Sequence, residues 1–129
     1  MNLLLDTHVA IWAVSETVMI PDRIHDILTD SDNRIYVSAI SVWEIAIKHA
    51  KYGPARMAFD GHEAIALFTD ANFVLMDTTP IHAAAIGKIS LDHADPFDRL
   101  LVAQAITEPL ALVTKDRKIA AYSPTFISW

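Results

Sequence analysis

The stretch Leu3-Leu4-Leu5-Asp6-Thr7-His8 is a continuous apolar run closed by a carboxylate. A strand with one face in water alternates apolar and polar residues. Three leucines in a row instead suit a strand buried on both faces, the usual setting of a parallel sheet covered by helices. His8 to Val14 then reads as a helix. The same alternation repeats outward from this start. Pro21 opens a helical segment through Leu28, with Ile24, Ile27 and Leu28 at helical spacing, and the polar cluster Thr29 to Asn33 ends it. Ile35-Tyr36-Val37 is a short strand, and Ser38 to Ala50 is a helix with Ile40, Ile45, Ala46 and Ile47 on its inner side, closed by Gly53-Pro54. A helix from about His62 to Asp70 leads into a strand, Phe73 to Met76. Thr79 as N-cap, with Pro80 at the first helical position, starts a helix through Ile89. A loop from Leu91 to Ala94, a helix from Pro96 to about Ile106, a strand from Leu110 to Val113, a short helix from Arg117 to Ala121 and an apolar run at Phe126-Ile127 follow. This order predicts an α/β fold with a mostly parallel sheet, right-handed crossovers and helices on both faces. Ligands of such sheets bind beyond the carboxyl ends of the strands, where the strand order reverses.

The 129 residues include no cysteine, and 16 acidic against 10 basic residues give a formal charge of -6. A chain of this size buries roughly two thirds of its unfolded surface, so a single domain needs no disulfide or zinc staple. Without thiols, a disulfide framework, cysteine-ligated zinc, iron–sulfur clusters and a cysteine nucleophile are excluded. Asp6 falls where a signal peptide would continue its apolar stretch, and no window approaches the ~18 apolar residues of a membrane span. The expectation is a soluble cytoplasmic protein with no membrane partner. The acidic balance argues against coating nucleic acid with a basic face, but it leaves room for an enzyme that touches few phosphates.

Four places put acid at the strand ends. Asp6 follows the first strand, and Glu44 lies about two turns into the helix after the second. Asp95 and Asp98 flank the start of the helix before the fourth strand, and Asp116 sits three residues past Val113. Each alone has a structural explanation. Asp6, Asp95 and Asp116 suit helix caps, Ser41-Val42-Trp43-Glu44 matches a capping box, Glu44 suits a pair with Lys48 one turn on, and Asp98 suits the positive end of a helix dipole. Caps need not converge, however, whereas these acids would meet at one end of one sheet. Carboxylates gathered there repel one another unless a cation neutralises them. Magnesium or manganese, hard ions held by a few carboxylates and waters, would do so. An ion held that way supports phosphodiester hydrolysis by a metal-activated water.

Four segments carry a family resemblance: Leu3 to His8; Ser38 to Lys48, reading Ser-Ala-Ile-Ser-Val-Trp-Glu-Ile-Ala-Ile-Lys; His93 to Ala105, with Asp95-Pro96-Phe97-Asp98-Arg99 as its most specific part; and Leu112 to Asp116. Together they resemble the PIN-domain family, in particular the VapC-type toxins of bacterial toxin–antitoxin pairs. The resemblance covers nearly the whole chain and implies one domain over residues 1–129, a three-layer α/β/α sandwich. It implies a magnesium-dependent endoribonuclease, with manganese as the other candidate ion, inhibited by a cognate antitoxin and commonly a homodimer. Carried residue by residue, Asp6, Glu44 and Asp98 fall on the family's acidic positions and Asp116 on the fourth, all four both catalytic and metal-binding. Asp95 joins them as a metal ligand, and either Asp95, from the loop, or Asp98, from the opening helical turn, is the closer one. Thr7 and Thr114 are expected to steady these carboxylates.

The basic residues cluster after Glu44 and around Asp116. Lys48, Lys51, Lys115 and Arg117 are expected to hold an RNA backbone at the rim of the acidic pocket. The six histidines show no metal-ligand spacing and read as surface or capping residues, with His93, beside Asp95, the exception to watch. Asp77 also ends a strand and reads as a turn residue before Thr79-Pro80. Rival readings fit less well. A phosphatase of the haloacid dehalogenase type needs a second acid two residues after Asp6, where His8 stands. A receiver-like phosphoacceptor needs an acidic pair after the first strand, and a non-catalytic interaction domain has no use for acids at every one of these positions.

Overall fold

The structure is a computed structural model that describes residues 1–89 and 95–129. The expected loop from Leu91 to Ala94, with His93, lies outside the described residues apart from its flanks. The elements run in chain order as β1 (Asn2–Leu5), α1 (Thr7–Ser15), α2 (Asp22–Thr29), β2 (Arg34–Ser38), α3 (Ala39–Tyr52), α4 (Gly61–Asp70), β3 (Val74–Met76), α5 (Pro80–Ala85), α6 (Pro96–Thr107), β4 (Ala111–Thr114), α7 (Arg117–Ala120) and β5 (Ile127–Ser128). The five strands form one sheet in the order β3-β2-β1-β4-β5, and every pairing is parallel.

β1 is the central strand, which is why its leucines are continuous. Leu3 and Leu5 join one apolar cluster with Val9, Ile24, Val37, Ile45 and Phe68, while Leu4 joins another with Ile40, Leu101, Leu112 and Ile119. Successive strand side chains point to opposite faces, so these two clusters are the two interfaces of a three-layer sandwich. Burying each leucine fully contributes on the order of 1.5–3 kcal/mol. α3 feeds both clusters, through Ile45 and Ile40. The chain steps from β1 to β2 to β3 in one direction and returns to the far side of β1 as β4. The order therefore reverses at the β1/β4 boundary.

Local chemistry sets the element ends. Ser38 caps α3 by accepting from Ile40 N–H, and Gly53, at φ 78°, ends it in a left-handed turn that a side chain would strain. A Cβ on Gly61 would stand 3.0 Å from Ala46 Cβ, so glycine there lets α4 lie against α3. Thr79 caps α5 with Pro80 at its first position, as the sequence predicts. The expected helix through Ile89 is shorter: α5 stops at Ala85 and a single 3₁₀ turn, Ile86–Lys88, carries Gly87. Glycine disfavours helix interiors by roughly 1 kcal/mol relative to alanine, consistent with the break there.

Candidate active site

Asp6 continues the β1/β4 ladder by one bond, from its main-chain N–H to Val113 O at 2.9 Å. Its side chain does not cap α1. The residue is only 6% exposed, and its two carboxylate oxygens differ in setting. Oδ2 accepts from Thr114 Oγ1 at 2.7 Å, while Oδ1 is buried without a hydrogen-bond partner. A buried polar atom left without a partner costs about 1–3 kcal/mol, so packing alone does not account for it. Thr114 also accepts from Asp116 N–H at 3.0 Å, which ties the start of the β4–α7 turn to the same carboxylate.

Glu44 is buried on α3. Ser41, one turn earlier on that helix, meets Thr7 hydroxyl to hydroxyl at 2.8 Å, pinning α3 to the start of α1. This pin brings Glu44 into electrostatic reach of Asp6. The capping box expected at Ser41–Glu44 does not form, because the helix begins a turn earlier at Ser38 and Ser41 is already interior. The expected pair with Lys48 does form, from Nζ to Glu44 Oε2 at 2.5 Å. Asp95 caps α6 by accepting from the N–H groups of Phe97 and Asp98, and Asp98 lies in that helix's first turn. The fields of both acids reach Lys48. Asp116 caps α7 through Lys118 N–H at 2.8 Å.

Glu44 thus lies in reach of Asp6, Asp95 and Asp98 lie in reach of Lys48, the partner of Glu44, and Asp116 is joined to Asp6 through Thr114. Of the two threonines expected to steady carboxylates, Thr114 holds Asp6 directly, whereas the Thr7 hydroxyl is engaged by Ser41. The donors suit a hard divalent ion in kind, being carboxylates, one of which presents an unpartnered buried oxygen. Among the described residues, however, no three histidine, aspartate or glutamate side chains stand together as a ready-made metal site.

A groove of about 440 Å³ runs from Glu44 and Lys48 past His8, Trp12, Tyr52 and Arg56. Basic groups lie over its aromatic rings: Lys115 Nζ is 5.9 Å from the Trp12 ring centre, and Arg56 is 5.0 Å from that of Tyr52. Lys51 also lies over Tyr52, at 5.2 Å, and Arg117 is exposed at the start of α7. Asp77 is exposed after β3, in keeping with a turn.

Burial pushes the Asp6 carboxyl above its ordinary value. The Thr114 bond, His8 and the Thr7 N–H oppose that shift, and the Glu44 charge adds to it. Between the unfolded value of about 3.8 and the higher folded one, the folded state keeps a proton that the unfolded chain has released. Stability therefore falls as pH rises through that window and stays lower above it. Asp6→Asn removes the charge and retains an acceptor for Thr114. The variant is expected to be more stable than the parent at pH 7 in chelator, with the gain vanishing as the pH falls below about 3.8. Urea unfolding across that pH range checks it, and a gain independent of pH would rule out ionisation as its source.

Sequence reasoning missed the support behind α3. Ser38 Oγ, which caps that helix, donates to Gln104 Oε1 at 2.5 Å, and Gln104 Nε2 donates to Asp77 O at 3.2 Å. His82 Nδ1 accepts from Thr79 N–H at 3.0 Å and stands 3.3 Å from Gln104 Nε2. Facing two donors, Nδ1 is unprotonated, so Nε2 carries the hydrogen donated to Glu108 Oε1. His82 is a capping residue as expected, though a buried one. The signal was a glutamine at an inward position of an otherwise apolar helix.

A search of curated proteins finds no match to this sequence. Among solved structures, VapBC2 from Rickettsia felis, bound to a DNA fragment from its promoter, contains a chain similar over 100% of this one and 98% of its own, with TM-score 0.69 at 19% identity. DNA-bound VapBC from Salmonella typhimurium matches over 100% and 97%, with TM-score 0.68 at 20% identity. A toxin–antitoxin complex from Klebsiella pneumoniae matches over 98% and 96%, with TM-score 0.59 at 20% identity. At such identities the likeness is one of fold, and it agrees with the parallel sheet and its two helical layers. The family profile described as PIN domain matches residues 3–123. Family match, fold and the order of the four acidic segments agree, and the chain belongs to the PIN domain family.

Proposed function

We propose that the protein is a divalent-metal-dependent endoribonuclease, the toxin of a toxin–antitoxin pair, that hydrolyses RNA phosphodiester bonds. The observation that carries this reading is Asp6, buried at the β1/β4 switch point with one oxygen fixed by Thr114 and the other unpartnered. Family membership and the fold shared with VapBC structures support a toxin nuclease. The RNA substrate and the magnesium ion come from the resemblance of the four acidic segments to VapC-type toxins.

Asp6, Glu44 and Asp98, with Asp95 or Asp116, would hold the ion. When bound, a divalent cation there neutralises the gathered acids, activates water and stabilises charge on the phosphoryl oxygens. The chain's own residues do the positioning. Thr114 fixes the orientation of Asp6, and the Thr7–Ser41 bond keeps α3, and so Glu44, beside it. Asp95 is held as the α6 cap and keeps Asp98 in the first turn. Lys48, Lys51, Lys115 and Arg117 would take the RNA backbone, with Trp12 and Tyr52 in the groove able to stack on unpaired bases. An antitoxin partner, a cytoplasmic location and a homodimer belong to the same proposal. For the homodimer, Trp43 and Ile47 of α3 remain exposed, whereas Ile40 is buried.

The test is purified protein with single-stranded RNA or DNA in Mg²⁺, in Mn²⁺ and in chelator. RNA should be cut with either ion, spared in chelator and cut again on adding the ion back. Cutting that persists in chelator, or DNA cut in preference to RNA, would overturn the proposal.

A further inference from the structure

Lys48 stands one turn after Glu44 on α3, in the favourable order for an acid–base pair on a helix, and its ammonium rests on Glu44 Oε2. The two partners differ in setting. The Glu44 side chain is 5% exposed, while that of Lys48 is 36% exposed and has a path to solvent. The same ammonium lies in the fields of Asp95 and Asp98. The other buried acid of the pocket, Asp6, keeps an oxygen without a partner. The Lys48 ammonium thus lies among several acids and holds a carboxylate that a metal would need.

We propose that Lys48 is a built-in counter-ion of the acidic pocket: its ammonium neutralises Glu44 in the metal-free protein and must leave that carboxylate before a divalent cation is gripped there. The inference rests on the metal-binding reading above and adds to it a competition within the chain. A strongly hydrated ammonium on a flexible four-carbon stem is suited to such an exchange. Its departure uncovers Glu44 and removes a charge that repels the incoming ion. A lysine whose only role was to hold an RNA phosphate would act on the ion by its field alone, so any gain on replacing it would not depend on Glu44.

The experiment is a calorimetric titration of Mg²⁺ into the full chain without RNA. Lys48→Met and Lys48→Gln are expected to bind about three- to tenfold more tightly than the parent, and Lys48→Arg about as tightly as the parent. The gain should disappear when Glu44→Gln is combined with Lys48→Met. In chelator Lys48→Met should melt lower than the parent, because it leaves Glu44 buried and unpaired, and Mg²⁺ should raise its melting temperature by more. Should the methionine and glutamine variants fold poorly, the parent answers alone: the Lys48 side-chain nitrogen resonance should move on addition of Mg²⁺. Equal affinity in parent and Lys48→Met, a gain that survives Glu44→Gln, or an unmoved resonance at saturating Mg²⁺ would overturn the inference while leaving the metal reading intact. Absence of Mg²⁺ binding in the parent and every variant would instead bring down the metal reading, and this inference with it.

Discussion

Asparagine in place of Asp6 is expected to lower RNA cleavage about 10³-fold in a protein that remains folded, a loss of roughly 4 kcal/mol of transition-state stabilisation. The size follows from the position of the carboxylate. It is buried, orders only one of its oxygens through Thr114 and lies at the crevice where the strand order reverses. An amide keeps the shape and the Thr114 bond but supplies one neutral oxygen where an ion needs an anionic donor. Magnesium affinity should fall with activity, while the fold gains the stability derived above. That opposition separates loss of a functional charge from loss of structure. Asp98→Asn is expected to lose about 10²-fold, because other acids share its neighbourhood, and to alter stability by less than about 1 kcal/mol, the range of a charge at a helix start. If both variants cut RNA as the parent does, the acids have been given the wrong task.

Leucine at position 104 is expected to destabilise the protein by about 2–4 kcal/mol, a fall in melting temperature of roughly 10 °C. Gln104 is completely buried and joins three parts of the chain: Ser38 at the start of α3, the carbonyl of Asp77 after β3, and His82 of α5. Leucine matches it in volume but leaves the Ser38 hydroxyl without its acceptor and the Asp77 carbonyl without its donor. Calorimetric melting measures the total. Because Ser38 also caps the helix bearing Glu44, the variant should lose some magnesium affinity as well. A leucine variant as stable as the parent would show that solvent readily replaces the network.

Much of this architecture was legible because the physics that places its elements is local. The apolar runs at Leu3–Leu5 and Leu110–Val113, the Thr79-Pro80 start and the Asp95-Pro96 start all appear where periodicity and capping put them, to within a residue or two. The positions of the acids after strands and at helix starts were legible too, since strand ends in a parallel sheet share one edge. What the sequence concealed depends on contacts between distant segments. Ser41 looked like a cap because the spacing to Glu44 fits one, and only its distance from the true start at Ser38 and its bond to Thr7 reassign it. Gln104 and His82 sit 22 residues apart in buried positions, and no local rule couples them. The partners of each acid were equally hidden. A motif names Asp6 and Asp116 alike, yet one is a buried strand-end carboxylate and the other accepts from a backbone N–H at the start of a surface helix.

All five strands point the same way, which fixes where the two chain ends emerge. Met1 starts β1 at the edge remote from the acids, its amino group bonded to Asn33 Oδ1, while Trp129 follows β5 on the acidic edge and rests against Trp12, 6.2 Å between ring centres. An affinity tag fused before Met1 would hang from the back of the molecule. The same tag fused after Trp129 would trail across the mouth of the groove, competing with whatever the groove receives and, if built of histidines, bringing its own appetite for metal.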